Sequence, residues 1–228
     1  MKGTIALVGG DEFAPHSVAM DLALISLPSE LPFKLFVVPA AAVNQPQKAV
    51  SNGIKYFGQL GVVASPLMIT DNHMANNKDL CSPILDASHL FFTGGDPGHL
   101  LRILTNSIMV DYIVQFLANG GLLIGSSAGA MVLGEWIRSP ASGHWDKGLG
   151  FVQRIGIIPH HEKMDRNMVH LDVSAFLKMD RNVLGIDAGT CCVGSPGKWT
   201  VKGQGMVTVY SIDGWANFYN GAQLPNSF

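Results

Sequence analysis

The chain has 228 residues, 47% apolar and 14% charged, with a formal net charge of −2. That length suits one domain better than two, and so small a charged fraction excludes intrinsic disorder, which needs the opposite balance. The 15 basic residues are scattered, with no run to follow a phosphate backbone, and no apolar stretch reaches the roughly 18 residues of a membrane span. 

The run Thr4–Val8 is too short for a signal peptide and ends in the turn-forming Gly9-Gly10-Asp11. The three cysteines, Cys81, Cys191 and Cys192, show no CxxC spacing and suit neither a disulfide framework nor a zinc site. The expectation is a cytoplasmic protein without metal, cofactor, nucleic-acid or membrane partner. The low charge content also suggests a homodimer.

Short β-rich runs alternate with helical patterns. Thr4–Val8 reads as a first strand, Val18–Leu27 as a helix, Leu35–Pro39 as a second strand and Lys48–Leu60 as a helix stopped at Gly61. Val62–Ile69 reads as a third strand, Leu80–Asp86 as a weaker helix and Leu90–Thr93 as a fourth strand. Ile108–Leu117 is a well-patterned helix ended by Asn119-Gly120-Gly121, and Leu122–Gly125 a fifth strand. This alternation implies right-handed crossovers and a mainly parallel sheet with helices on both faces. After Glu135 the rhythm changes: Cys191–Gly194, Trp199–Val201 and Val207–Tyr210, parted by turn residues, predict an antiparallel finish near the C-terminus. No repeat or linker divides the chain, so residues 1–228 are read as a single α/β domain.

The fifth strand runs into Gly125-Ser126-Ser127-Ala128-Gly129, a G-x-S-x-G pattern, and the small-residue segment Ala128–Leu133 opens a helix behind it. This is the strand–turn–helix setting of a nucleophile elbow, in which the central serine projects at the carboxyl end of the sheet. Ser127 is therefore the candidate nucleophile; a structural turn and an anion-binding turn are the alternatives. Phe92-Thr93-Gly94-Gly95-Asp96 is a second glycine turn at a strand end. The N–H groups of Gly95 and Ala128 could together form an oxyanion hole.

A serine hydroxyl needs a base within hydrogen-bond reach. Eight histidines compete. His89 and His99 flank the glycine turn, while His160 and His161 follow the apolar run Ile155–Pro159, which reads as another strand ending at the same edge.

Taken together, Phe92–Asp96, Gly125–Ala130, Gly148-Leu149-Gly150-Phe151 followed by Ile158-Pro159-His160, Leu184–Asp187 and Val201–Gly205 resemble, in order, the cyanophycinase/dipeptidase E family of serine peptidases. The fold of that family is similar to class I glutamine amidotransferases. The resemblance implies Ser127 as nucleophile, His160 as base and the Gly95 amide in the oxyanion hole, with a small peptide as substrate and possible aspartyl or β-aspartyl specificity. Asp96 falls within the same turn. Arg166 occupies a place similar to family arginines near the substrate, where it could pair with a carboxylate.

Two departures stand out. The family's glutamate that orients the histidine is Ala188 here, leaving neighbouring Asp187 as the expected acid, with Glu162, Asp165 and Asp172 as further candidates. The Asp-Gln pair that precedes the histidine in cyanophycinases is Ile158-Pro159 here, closer to dipeptidase E. The rival reading is a catalytically impaired member that binds a small ligand. Amidotransfer is disfavoured because that chemistry places a cysteine at the elbow.

Overall fold

A computed structural model describes residues 2–139 and 142–226. In chain order it runs β1 (Thr4–Val8), α1 (Val18–Ile25), β2 (Leu35–Val38), α2 (Pro46–Gln59), β3 (Ala64–Pro66), α3 (Asn72–Ala75), α4 (Lys78–Cys81), β4 (His89–Phe92), α5 (Pro97–Leu104), α6 (Ile108–Ala118), β5 (Leu122–Ser126) and α7 (Ala128–Leu133). There follow β6 (Gly134–Arg138), β7 (Trp145–Lys147), β8 (Val152–Ile158), α8 (Arg166–Leu177), β9 (Asn182–Ile186), β10 (Thr190–Ser195), β11 (Lys198–Gly203), β12 (Met206–Ser211) and β13 (Gly214–Tyr219). Most expected elements are present within a residue or two of their sequence-derived limits. The exceptions are the third strand, which shrinks to Ala64–Pro66, and the segment 80–86, which is the end of α4 followed by a 3₁₀ turn over Ser82–Asp86 with Pro83 in its first turn.

The expected single sheet is two sheets. The first has seven strands in the order β11-β10-β1-β5-β4-β2-β3, parallel from β1 to β3 and antiparallel at β10 and β11. The second has six strands in the order β13-β12-β9-β8-β6-β7, with parallel pairs at its centre. The cause lies in α7. Its six residues are far fewer than the dozen or so that a crossover back over the first sheet needs, so the chain passes directly into β6 and founds a second layer.

Alternation along the buried strands serves both faces of the first sheet. Ile5, Leu7, Leu90, Phe92 and Leu123 point into a core shared with α5 to α7 and with Ile155, Ile157, Leu184 and Val207 of the second sheet. Ala6, Val8, Phe91 and Ile124 point the other way, onto Met20 and Leu24 of α1 and Val50 and Phe57 of α2. The outer face of the second sheet is covered by Val173, Phe176 and Leu177 of α8. Among the described residues no single helix is long and apolar enough to cross a membrane.

Between α1 and α2 lies a buried acid. The Tyr56 hydroxyl donates to Asp21 Oδ2 at 2.8 Å. Burial, opposed by that hydrogen bond and reinforced by the nearby charge of Glu12, pushes the Asp21 carboxyl up from 3.8 to about 6. An acid whose folded pKa lies above its unfolded value contributes stability at low pH that is lost as pH rises through the folded value. Ionised Asp21 is therefore a liability at neutral pH. The shift corresponds to about 3 kcal/mol, of which an asparagine would recover about 1–2 after leaving an amide donor unpartnered. Asp21→Asn is expected to raise the denaturation midpoint at pH about 8, and the gain should vanish below pH about 4; urea titrations of the pair at both pH values check it.

Candidate active site

Because β1, β4 and β5 are parallel, with Val8 opposite Ser126 and Phe92 opposite Gly125, the segments that leave them emerge at one edge of the first sheet. That edge carries the site. Ser127 is the residue between β5 and α7 and sits at φ 49°, ψ −108°. Such a conformation is costly for any residue with a side chain, of order 1–3 kcal/mol, and is the strained geometry of a nucleophile elbow. Two glycines make it possible. A Cβ on Gly125 would lie 2.6 Å from the Gly129 backbone, and one on Gly129 would lie 2.9 Å from the Phe92 carbonyl oxygen.

His160 comes from the other layer. It follows β8, takes a left-handed conformation at φ 51°, and donates its backbone N–H to the Gly9 carbonyl at 2.8 Å. That bond ties the end of the second sheet to the loop after β1. The Nε2 atom of His160 lies 3.1 Å from Ser127 Oγ, within hydrogen-bond range. The pair opens on a cleft of about 340 Å³ lined by Asp11, Glu12, Phe13, Asn52, Gly94 and Gly95 around Ser127 and His160. Of the other histidines weighed, His89 is buried at the opposite end of β4 against the Ser88 hydroxyl, and His99 sits in the first turn of α5.

The glycine turn after β4 faces this cleft through Gly94 and Gly95. Gly94 donates its N–H to Glu12 Oε1 at 2.7 Å. Among the described residues the N–H groups of Gly95 and Ala128 have no protein acceptor. Asp96 does not line the cleft: it caps α5, accepting from the His99 N–H at 2.6 Å.

Two expected residues lie elsewhere. Asp187 does not meet His160. It is buried, with Oδ2 accepting from the Met206 N–H at 3.1 Å, while Oδ1 faces His161 Nδ1 at 3.7 Å and Arg166 Nη2 at 3.8 Å. Burial, outweighing the Met206 bond and the Arg166 charge, raises the Asp187 carboxyl above its ordinary value. Arg166 is turned away from the cleft as well, donating to the Met164 carbonyl at 2.9 Å and to Met206 Sδ at 3.5 Å. Asp187 lies just past the end of β9, on the side where Gly185, two residues earlier, also meets the His161 ring. Asp187 serves a buried cluster in which His161 shares a hydrogen bond of 2.8 Å with the Tyr210 hydroxyl. Burial, with the Arg166 charge beside it, lowers His161 to about 4, so this ring is neutral at physiological pH.

Of the other acids weighed, Asp165 caps α8 and Asp172 pairs with Arg138. Glu162 Oε2 accepts the N–H of Ala188 at 2.9 Å. Burial opposes its ionisation, but that bond, its own N–H and the charges of His160 and Lys163 hold the Glu162 carboxyl below the ordinary value. A carboxylate thus reaches the backbone of the position where the resemblance expects a glutamate, from a different segment.

The loop after β1 is the part of the site that sequence reasoning missed. Gly9-Gly10-Asp11 reads there only as the end of a strand, yet Glu12 ties this loop to the glycine turn and to the end of β5: Oε1 takes the Gly94 N–H and Oε2 accepts the Ser126 hydroxyl at 2.7 Å. An acidic pair directly after a strand-ending Gly-Gly turn, at the same sheet edge as the elbow, was the available signal.

Known proteins align with this arrangement over most of the chain. The model of peptidase family S51 matches residues 14–201. A cyanophycinase from Trichormus variabilis (strain ATCC 29413 / PCC 7937) is 26% identical over 220 residues, covering 91% of this chain and 73% of its own. A cyanophycinase from Geminocystis herdmanii (strain PCC 6308) is 24% identical over 231 residues, covering 96% of this chain and 84% of its own. The crystal structure of a peptidase from an acI-B1 actinobacterium superposes with a TM-score of 0.84 at 24% identity, covering 98% of this chain and 96% of the other, and shares the fold. With the family match spanning the elbow, the glycine turn and His160, the chain belongs to peptidase family S51.

Proposed function

We propose that this protein is a serine-type peptidase that cleaves short peptides, with Ser127 as nucleophile and His160 as general base. The observation that carries the reading is the 3.1 Å contact between Ser127 Oγ and His160 Nε2 at the mouth of the cleft. As Oγ bonds to the scissile carbonyl carbon, its proton passes to Nε2, and the carbonyl oxygen becomes an oxyanion facing the Gly95 and Ala128 N–H groups. Collapse breaks the C–N bond, and the imidazolium returns the proton to the leaving amine. Water then attacks the ester carbonyl, giving a proton to Nε2. His160 hands it to Ser127 Oγ as the carboxylic acid departs, and the resting enzyme is restored.

The cleft bears on the substrate. Among the described residues its lining contains the carboxylates of Asp11 and Glu12 and no lysine or arginine. An aspartyl or β-aspartyl substrate would bind through its free amino group, since Arg166 is engaged elsewhere. A likeness of the fold to class I glutamine amidotransferases belongs to this proposal too, and Ser127 in place of a cysteine argues for hydrolysis.

One observation favours the second reading, a ligand-binding relative without turnover: Asp187 faces His161, and Ala188 offers no acid. The test is a dipeptide panel, free and N-acetylated, run beside a fluorophosphonate probe with peptide mapping. The expected result is hydrolysis of free dipeptides and an adduct on Ser127. Calorimetric binding with no hydrolysis and no adduct would replace this reading with the second.

A further inference from the structure

We propose that Asp11 is the carboxylate that orients His160, doing from the loop after β1 what Ala188 cannot do from the end of β9. The assignment rests on the serine-peptidase reading and names a positioning residue within it. Asp11 Oδ1 lies 3.8 Å from His160 Nδ1, the ring nitrogen turned away from Ser127. Among the described residues no other carboxylate oxygen comes within 4.0 Å of the His160 ring nitrogens.

Three features hold Asp11 there. Its carbonyl accepts the Ser17 hydroxyl at 2.9 Å and the Ala14 N–H at 3.2 Å. Its Oδ2 pairs with His16 Nε2 at 3.3 Å, which leaves Oδ1 free for His160. Gly10, at φ +129°, abuts the imidazole, where any Cβ would overlap the ring. The loop therefore follows the ring edge from Nε2 to Nδ1 and is shaped around it.

A separation of 3.8 Å exceeds a hydrogen bond by nearly 1 Å. Both side chains are about half exposed, at 47%, so modest rotations close the gap, and catalytic hydrogen bonds commonly tighten only when substrate is bound. Once closed, Nδ1–H donates to Oδ1, which fixes the tautomer with the Nε2 lone pair toward Ser127 and stabilises the imidazolium as it forms. The other charged groups nearby are Glu12 in the same cleft, Glu162 with Lys163 beside it, and His16 paired with Asp11. Glu12 is held by Gly94 and Ser126, and Glu162 by Ala188.

The experiment measures the rate of fluorophosphonate labelling at Ser127 from about pH 5 to pH 9 in wild type, Asp11→Asn, Asp11→Glu and Glu162→Gln. Loss of a buried triad aspartate costs ~10⁴-fold in the serine-protease template; for a half-exposed carboxylate the expected loss in Asp11→Asn is ~10- to 100-fold. The dependence of its labelling rate on pH should also differ from that of wild type. Asp11→Glu should recover most of the rate, and Glu162→Gln should stay within about threefold of wild type. Wild-type rate and profile in Asp11→Asn, or the large loss appearing in Glu162→Gln instead, would overturn the assignment while leaving the peptidase reading intact. A wild-type protein that takes no adduct at Ser127 would remove both.

Discussion

Ser127→Ala is expected to abolish dipeptide hydrolysis, with a loss of about 10⁴- to 10⁶-fold in kcat, and His160→Gln to lose nearly as much. The alanine keeps the elbow, because strain at φ 49° is a property of the backbone and remains when Oγ is removed. The glutamine keeps bulk beside Gly10 but cannot take the hydroxyl proton at Nε2. Since the two groups form one proton-transfer unit at 3.1 Å, the double variant should be little worse than either single one. Residual rates measured on the most active dipeptide decide the matter. Independent, multiplying losses would show that the two side chains do not act together, and full activity in Ser127→Ala would end the serine mechanism.

Gly125→Ala is expected to disrupt the elbow and destabilise the fold strongly. The added Cβ would sit 2.6 Å from the carbonyl carbon and oxygen of Gly129 and 2.8 Å from the Ala130 nitrogen, all backbone atoms that cannot rotate aside. Either β5 and α7 separate or the elbow relaxes, at a cost of about 3 kcal/mol or more and with loss of the Ser127 geometry. A control isolates the cause. Gly58, inside α2, has nothing within 4 Å of its Cβ position. Gly58→Ala should therefore stabilise by about 0.5–1 kcal/mol through helix propensity alone. Urea denaturation of the two variants should shift the midpoints in opposite directions; equal shifts would contradict the close contact at the elbow.

These results bear on what could be read from the residues alone. The elbow was legible because its requirements are local: an apolar strand, small residues at two fixed offsets and a helix start, all within 12 residues of one another. Strand and helix types were legible for the same reason. The division into two sheets was not, because it depends on what α7 is too short to do and on pairings such as β9 with β12, residues far apart in sequence. The acids were hardest. Glu12 finds partners 82 and 114 positions away, and no periodicity reports a contact of that range. Asp187 looked suitable by proximity to Ala188, yet its carboxylate turns to His161, the ring that Gly185 also faces.

The nucleophile and the base belong to different layers: Ser127 ends a strand of the seven-stranded sheet, and His160 ends one of the six-stranded sheet. Their separation is therefore a gauge of how the layers are aligned, read out as turnover. A substitution in the shared core between Leu123 and Ile157, remote from any peptide, can slow the chemistry by shifting one platform against the other, with no change to a reacting group.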